Sequence, residues 1–258
     1  MVKGLYTAYT GMLNEQHRMD VLTNNLANST TVGYKKEGST SQSFDTILAY
    51  KVKDTSEQPN IPRRVGYNNP GVKIGENYTD YSQGSFKITD NTYDLALSGN
   101  GFFTIEFTNK AGETSTKYTR DGSFTLDVDG YLMTSDGSYV MGTNGRIQLD
   151  TLSDSSIDSQ GNIYQNGNLV AQLQITDFED YNYLEKYGEN LYNAVEGATF
   201  TTADATVYSG YLETSNVSIV SEMVDLISVT RQYESNQKII QAIDETLDIA
   251  ANQIGRLS

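Results

Sequence analysis

Apolar residues recur at every seventh position near the C-terminus, and this repeat limits the possible folds more than any other feature of the chain. The six positions are Ile219, Leu226, Tyr233, Ile240, Leu247 and Ile254. A seven-residue interval sustained over many turns favours a coiled-coil helix, because ordinary globular helices average about 11–12 residues. The repeat therefore predicts one helix of roughly 40 residues, about 60 Å long at about 1.5 Å per residue. Asn216 or Ser218 is predicted to cap its start.

A shorter repeat of the same kind lies near the N-terminus. Its apolar positions are Leu5, Met12, Met19, Leu22 and Leu26. Both ends of the chain therefore carry a helix with an apolar seam, and the two helices can pair with each other. Two helices cannot bury every face, so identical chains are expected to cover the rest. A head-to-tail contact of that kind builds a ring or an open helical filament.

The seam residues of both helices are predicted to form the assembly interface. Two polar residues within the C-terminal seam, Asn236 and Gln237, suit a contact that sets the register between chains. The alternative is that both helices pack only on the chain's own body. The length of the repeat makes this alternative the less favoured interpretation, because globular bodies shorten their helices.

The middle of the chain has the features of a β-sheet domain. Residue pairs that make tight hairpin turns recur in quick succession. They are Asp121-Gly122, Asp129-Gly130, Asp136-Gly137, Asn144-Gly145, Gln160-Gly161 and Asn166-Gly167. The predicted fold class is therefore α+β, with paired N- and C-terminal coiled-coil helices and an all-β central domain. The predicted boundaries are residues 1–32 with 216–258 for the helical domain and 76–215 for the β domain.

Residues 33–75 are predicted to form an extended connector between the first helix and the β domain. All three prolines of the chain, Pro59, Pro62 and Pro70, lie in this segment. Proline lacks the amide proton that the interior of a sheet requires, so it favours extended or edge conformations. A connector of this length inside a compact domain is unusual and is often functional.

The first helix stops in the stretch NNLANSTTVGYKK, residues 24–36. Its junction residues are Asn24, Asn25, Asn28, Thr31, Gly33, Tyr34 and Lys35. Asparagine tolerates a left-handed backbone and can bond the last free carbonyls of a helix, and glycine permits a sharp change of direction. We interpret the stretch as a helix end from which the chain departs at a set angle. Tyr34, Lys35 and Lys36 are then expected to meet a neighbouring subunit.

Composition argues against several kinds of function. A formal charge of −15 opposes binding to a nucleic-acid backbone. The chain has no cysteine for a disulfide or a thiolate metal site, and its single histidine, His17, has no nucleophile motif beside it. No catalytic residue, cofactor or metal ligand is therefore predicted. No apolar stretch is long enough to span a membrane, and the first residues lack the apolar core of a cleaved secretory signal.

Motifs along most of the chain resemble those of the bacterial flagellar rod and hook axial proteins. The stretch RMDVLTNNLANSTTVGYKKEG, residues 18–38, is similar to the N-terminal signature of that family. The stretch YLETSNVSIVSEMVDLISVTRQYESNQKIIQAIDETL, residues 211–247, is similar to its C-terminal signature. Between them, DLALSGNGFFTI, YTRDGSFTLDVDGYL and GENLY resemble the rod proteins in particular.

The resemblance implies a structural, non-catalytic subunit of the flagellar basal body, exported by the flagellum's own type III apparatus without a cleaved signal. It implies self-assembly into a helical tube that transmits torque from motor to hook. The implied partners are identical subunits and other flagellar rod, hook and export proteins, with no nucleic acid and no membrane insertion. The terminal helices are then expected in the inner layer of the tube and the β domain in the outer one.

Within the family, two features favour different members. The long connector resembles that of the distal rod protein, whereas the tail ending DETLDIAANQIGRLS is more like that of the proximal one. The distal type is favoured, and a proximal rod or hook-type subunit is the alternative. A protein of another class, which binds or cleaves glycans through the β domain, is less favoured. A glycan array and a peptidoglycan-hydrolysis assay that were both silent would exclude it.

Overall fold

The computed structural model describes residues 2–51, 63–188 and 190–254. The chain folds as two compact units, each assembled from separate segments. The first unit comprises Met1–Leu26, Glu37–Asp80 and Ser218–Ser258, and the second comprises Ala27–Lys36 and Tyr81–Val217. The fold has an N-terminal helix, a β-rich centre and a C-terminal helix, which confirms the predicted α+β class.

The first unit contains both terminal helices. Helix α1 is Val2–Ala27 and helix α2 is Ile219–Ile249, followed by one π-helical turn, Ala250–Ile254. Helix α2 has 31 residues, fewer than the roughly 40 predicted from the repeat, because α-helical hydrogen bonding gives way to the π turn at its end. The side chain of Ile254, one of the predicted seam residues, lies outside the described part of the chain.

The start of α2 differs from the prediction. Ser218 is the N-cap residue and has an extended backbone, but its side chain makes no capping hydrogen bond. Asn216 does not cap the helix either. In the second unit, its Oδ1 accepts a hydrogen bond from the Lys36 amide at 2.7 Å, and its Nδ2 donates to the Ser82 carbonyl at 3.2 Å. The Asn216 side chain therefore bonds the backbone of Lys36 and Ser82 and does not serve as the cap of α2.

The least exposed positions of α2 follow the seven-residue repeat. They are Glu222, Leu226, Val229, Tyr233, Asn236, Ile240 and Ile243, with Thr230 beside them. Three of these positions meet α1, in the pairs Gly4 with Ile243, Gly11 with Asn236 and Asn25 with Glu222. Residue numbers rise along α1 as they fall along α2, so the two helices run antiparallel at these contacts.

Paired strands occupy the segment that was predicted to be an extended connector. They are β1 Glu37–Ser43, β2 Ile47–Lys51, β3 Arg63–Asn68 and β4 Val72–Thr79. β1 pairs with β4 and β2 pairs with β3, both antiparallel. β1 reads EGSTSQS and has no apolar alternation from which a strand could be predicted. Residues 52–62, which include Pro59 and Pro62, lie outside the described residues.

β1 and β4 pack on α1, and all four strands belong to the unit of the helices and not to a separate connector. The Ser41 hydroxyl donates to Asn14 Oδ1 at 3.1 Å. His17 Nε2 lies 2.9 Å from Asn77 Oδ1. Helix α1 therefore contacts α2 along one face and the strands along another, and the observed units differ from the predicted boundaries for this reason.

In its described residues, the second unit contains seventeen antiparallel strands. They are β5 Phe86–Ile88, β6 Leu95–Gly99, β7 Phe102–Thr108, β8 Thr114–Thr119, β9 Phe124–Leu126, β10 Leu132–Thr134, β11 Tyr139–Gly142, β12 Gly145–Arg146, β13 Ser155–Ile157, β14 Asn162–Gln165, β15 Asn168–Gln172, β16 Ile175–Phe178, β17 Leu184–Tyr187, β18 Leu191–Ala194, β19 Phe200–Thr202, β20 Ala205–Ser209 and β21 Tyr211–Glu213. A 3-10 turn, Tyr181–Tyr183, precedes β17. The largest sheet has the order β17-β18-β8-β7-β11-β10-β9, and β16 also pairs with β7.

The first strands of this unit pair with its last ones. β5 pairs with β21 and β6 pairs with β20. The main core lies against β6 and β7, with fully buried Leu95, Phe103 and Ile105 at its centre. A second cluster of aromatic side chains surrounds Phe102. The strand that ends at Glu213 is thereby fixed beside the strand that begins at Phe86.

Candidate junction and assembly site

The end of α1 uses ordinary helical backbone and not left-handed asparagines. Asn24 and Asn25 lie within α1, and Asn28 follows it directly. The Thr31 amide donates to the Asn28 carbonyl at 3.2 Å, and the Thr31 hydroxyl donates to Asn28 Oδ1 at 3.1 Å. Among the described residues, the non-glycine residues with a left-handed φ are Asp90 and Asn166, both far from the end of α1 in the sequence. The expectation of left-handed asparagines at this helix end is therefore wrong.

Gly33 has the left-handed backbone that its predicted role requires, with a φ of +68°. Its amide donates to the Glu213 carbonyl at 2.8 Å. A Cβ atom at this position would lie 2.5 Å from the carbonyl carbon of Arg120 and still closer to the Asp121 amide nitrogen. Only glycine meets both demands, because other residues disfavour this φ and carry the atom that would overlap with the neighbouring backbone.

Tyr34 and Lys35 are buried inside the second unit. Neither side chain is accessible, at 0 % and 1 % exposed. Lys186 Nζ lies 4.1 Å from the centre of the Tyr34 ring, a cation–π contact. Lys35 Nζ forms an ion pair with Glu213 Oε1 at 2.6 Å and donates to the Ser82 carbonyl at 2.8 Å. The expectation that Tyr34 and Lys35 meet a neighbouring subunit is therefore wrong, since both are already covered by their own chain.

Glu213 joins two cations in a buried cluster. Its other carboxylate oxygen, Oε2, lies 3.4 Å from Arg120 Nη1. Arg120 also donates from Nη2 to the Gly99 carbonyl at 2.7 Å, and the Gly84 amide donates to Glu213 Oε1 at 2.9 Å. We call Lys35, Arg120 and Glu213 the buried ion cluster. It connects three parts of the second unit: Ala27–Lys36, which follows α1 and which we call the exit segment, the bend that follows β8, and the last strand, β21.

The buried ion cluster constrains position more than it adds stability. Removing two cations and a carboxylate from water costs several kcal/mol per ion, and close pairing with further hydrogen bonds offsets this cost. Loss of Glu213 would leave both cations in the interior without the carboxylate that they share, which costs about 3–5 kcal/mol. The cluster therefore penalises any arrangement in which the exit segment is not seated against β21.

A second polar contact ties the end of α1 to the start of α2. Asn25 is fully buried, and its Nδ2 donates to Glu222 Oε2 at 3.2 Å. The same side chain donates to the Glu37 carbonyl at 2.8 Å and accepts from the Glu37 amide at 2.9 Å. Asn25 thus holds the first residue of β1 and a buried seam residue of α2 together. Its role is to clamp two elements and not to cap the helix.

The predicted assembly residues lie along the two terminal helices with unequal exposure. The half-buried ones are Leu5, Met12, Met19, Leu22, Leu26, Leu226, Tyr233 and Ile240. Ile219 and Leu247 are exposed. The Asn236 side chain was expected to set register between chains, but its Nδ2 would lie 3.1 Å from a Cβ on Gly11 of the same chain. Asn236 therefore lies against α1 of its own chain, and its contact between chains stays a prediction.

Sequence reasoning missed the buried ion cluster. Lys35 and Glu213 are 178 residues apart, and Arg120 is 93 residues from Glu213. No helical or strand period relates positions at such separations. Each residue alone resembles an ordinary surface charge, which is where most lysines, arginines and glutamates lie. The one available signal was the presence of all three within motifs that resemble family signatures.

Next to the junction, a buried carboxylate gives a testable pH dependence. Burial raises the pKa of Asp121 above its ordinary value of 3.8, against hydrogen bonds from Ser123 and Asn190 that lower it, and nearby Asp136 raises it further. An acid with a raised folded-state pKa contributes stability below its ordinary pKa and loses that contribution as the pH rises through the folded value. Ionised Asp121 therefore opposes folding at neutral pH.

Asp121→Asn is expected to remove this dependence. Its Oδ1 can still accept from the Ser123 amide and hydroxyl, which lie 2.9 Å and 2.7 Å from Asp121 Oδ1. The variant should gain free energy of unfolding, relative to the unaltered chain, between about pH 3 and about pH 7. Urea unfolding at both pH values measures the difference. A difference that stayed constant or fell with rising pH would contradict the assignment.

Comparison with known proteins gives matches along both units. Three family models match: Flagella basal body rod protein over residues 5–35, Flagellar hook protein FlgE/F/G D1 domain over residues 96–165, and Flagellar basal body rod FlgEFG protein C-terminal over residues 208–254. The first covers the end of α1 and the residues that follow it as far as Lys35, and the third covers β21 and all of α2. The matched parts therefore include all of the junction residues.

Whole-length relatives have similar names. The chain is 33 % identical over 273 residues to the flagellar basal-body rod protein FlgG of Bacillus subtilis, covering 98 % of this chain and 99 % of the relative. It is 31 % identical over 272 residues to the flagellar hook-basal body complex protein FlhO of the same species, covering all of both chains. It is 30 % identical over 261 residues to the flagellar basal-body rod protein FlgF of Caulobacter vibrioides, again covering all of both.

Proposed function

Because the chain belongs to the flagellar basal-body rod protein family and is a structural subunit of that rod, we propose that it self-assembles as the distal type of rod subunit. In this role it forms part of a helical tube that transmits torque from motor to hook. The long segment between α1 and β5, which resembles that of distal subunits, supports the distal assignment. The alternative is a proximal or hook-type subunit.

The proposed assembly depends on a coiled-coil pairing of the two terminal helices. Its support is the seven-residue repeat of low exposure along α2, together with the antiparallel contacts to α1. Two buried polar residues within the seam, Asn25 and Glu222, are hydrogen-bonded to each other and favour one register, because a shift would separate them. The seam residues named from the sequence are proposed to maintain this pair and, through it, the assembly.

The remaining parts of the proposal concern chemistry and location. The subunit is proposed to have no catalytic activity, in keeping with a family of structural proteins. Its partners are proposed to be copies of itself and other flagellar rod, hook and export proteins. We propose that the flagellar export apparatus carries it out of the cytoplasm without cleavage of a signal. Within the described residues, neither helix combines the length and apolar character needed to cross a membrane.

Leu226→Glu tests the assembly proposal. Leu226 is half-buried in the seam of α2, and a carboxylate there would have to be desolvated against α1, at a cost of a few kcal/mol. We expect the variant to lose incorporation into rods and motility, while the second unit keeps its near-ultraviolet circular dichroism. Gln241→Glu, an exposed position on the same helix with the same charge change, should swim normally. Normal swimming by Leu226→Glu would refute the proposal.

The distal assignment needs a separate experiment. Antibody labelling of purified basal bodies locates the subunit along the rod. Label near the hook supports the distal type, and label at the membrane end supports the proximal one. Absence of the chain from basal bodies would overturn the rod assignment for this protein altogether.

A further inference from the structure

Helix α2 exposes apolar residues on the side facing away from its seam. Val220, Val224 and Ile227 are 75 %, 60 % and 52 % exposed, and they follow one another at steps of four and three residues. In a two-helix pair, these outer positions normally carry polar side chains. We call these three residues the outer patch. The outer patch borders a shallow groove lined by Ile227, Ser228, Arg231 and Ser235.

Helix α1 exposes a second set of large apolar residues. Tyr6, Tyr9 and Leu13 are 58 %, 47 % and 40 % exposed, at steps of three and four residues. We call them the lateral patch. The seam of α1 meets α2 and a further face meets the β strands at Asn14 and His17, and the lateral patch lies on a face that the described elements leave exposed.

We infer that the lateral patch of one subunit docks on the outer patch of a second copy of the same chain. This inference rests on the proposed self-assembly and specifies the surface that carries it. In an antiparallel contact, the forward steps of three and four residues on α1 match backward steps of three and four on α2. The matched pairs are Tyr6 with Ile227, Tyr9 with Val224 and Leu13 with Val220. One register therefore brings all three pairs together.

The surroundings of the two patches are complementary in shape and charge. Side chains on a helix lean toward its N-terminus, so Tyr6 leans past Ile227 toward the groove beside Arg231, where its ring can lie against the guanidinium. One turn further on, Lys3 in the first turn of α1 faces the part of the second copy's helix that carries Glu234. Helix α1 has no acidic residue in that first turn, so Glu234 also meets the positive end of the helix dipole.

The register makes the contact a staggered one. Within one chain, Gly11 of α1 lies against Asn236. In the contact between copies, the same part of α1 lies two heptads further toward the start of the second copy's α2, a shift of about 21 Å at about 1.5 Å per residue. Two different patches meet, and all copies point the same way. Such a contact repeats without closing, which produces a polar filament and not a dimer.

The size of the contact agrees with this geometry. Three side chains from each copy bury far less than the roughly 1,200–2,000 Å² of a stable pairwise interface. A single contact is therefore too weak to hold a dimer in dilute solution. In a filament each subunit uses both patches at once, and the contacts reinforce one another.

Disulfide trapping in rods tests the inference. The natural chain has no cysteine, so introduced thiols give the only signal. Cells carry two full-length variants, Tyr9→Cys on one tagged chain and Val224→Cys on a differently tagged chain, and purified basal bodies are oxidised. We expect a mixed disulfide at least about tenfold more abundant than with the control pair Tyr9→Cys and Lys238→Cys. Lys238 occupies the same helix face two heptads along, about 21 Å away, beyond the about 7 Å reach of a disulfide.

Other outcomes overturn the inference in distinct ways. Equal trapping with the Lys238→Cys control would contradict the proposed stagger. Disulfides that mainly join two Tyr9→Cys chains would indicate a symmetric contact and contradict the head-to-tail one. Val224→Glu gives an independent measure, since it should abolish incorporation into rods without changing the helical circular dichroism of the purified chain. If unaltered chains are present in rods but Val224→Glu chains enter them equally well, the inference fails alone. If unaltered chains are absent from rods, the proposed function fails first.

Discussion

Replacement of Glu213 by alanine is expected to destabilise the second unit by about 3–5 kcal/mol. The substitution leaves Lys35 Nζ and the Arg120 guanidinium in the interior without the carboxylate that lies 2.6 Å and 3.4 Å from them. It also removes the acceptor of the Gly84 amide. A loss of this size is a large share of the total stability of a domain, which is about 5–15 kcal/mol.

Urea unfolding followed by tyrosine fluorescence measures the effect, because the chain has 19 tyrosines and no tryptophan. The loss of stability in Glu213→Gln should lie between zero and the loss in Glu213→Ala. Its amide oxygen can still accept from the Gly84 amide but carries no charge. Glu185→Ala is the matched control, because Glu185 is exposed on β17 and surface changes of this kind cost at most about 0.5 kcal/mol. A loss for Glu213→Ala no larger than that of the control would show that the buried ion cluster does not constrain the fold.

Gly33→Val is expected to damage the fold of the second unit itself, by about 4 kcal/mol or more. Two costs add at this position. The left-handed φ of +68° costs a non-glycine residue about 1–2 kcal/mol. The new Cβ would also overlap with backbone atoms of Arg120 and Asp121, which cannot rotate away as a flexible side chain could.

Gly112→Ala separates the two costs. Gly112 also has a left-handed φ, +86°, but a Cβ there would meet nothing within 4 Å. It should lose about 1–2 kcal/mol for the backbone alone, and Gly33→Ala should lose clearly more. Equal losses at the two glycines would mean that the neighbouring backbone yields easily. The close approach of the Arg120 backbone therefore makes Gly33 a requirement of the fold of the second unit itself.

The parts of the structure that depend on local periodicity were accessible from the sequence. The repeat that includes Leu226 and Tyr233 identified α2, and the turn pairs identified an antiparallel β domain. β1 could not be predicted from the sequence, because EGSTSQS has the composition of a loop. The strand is stabilised by pairing with β4 and by contact with α1. Its identity depends on partners distant in sequence, which no local pattern encodes.

The sequence located the junction correctly, but the roles predicted for several of its residues differ from those in the structure. The run of Asn, Ser, Thr and Gly correctly marked the end of α1, and Gly33 has the backbone that was expected. Asn25, by contrast, is a clamp on Glu37 and Glu222, and Lys35 is the partner of a residue near the far end of the β domain. A sequence shows which residue types favour a turn. It does not show which charges will be buried together, because that depends on the completed tertiary fold.

The pairing of the first strands of the second unit with its last ones also limits when this unit can fold. β5 and β6 find their partners only in β21 and β20, and Lys35 finds its counter-ion 178 residues further along the chain. Contacts of such long range close slowly, because the entropy of a large loop is lost before any of them forms. A chain that travels lengthwise through a narrow conduit must stay unfolded until it emerges. In the export proposed above, a passage that begins at the N-terminus would deliver the completing strands β20 and β21 among the last, so the topology of this unit would delay its folding until transit is nearly over.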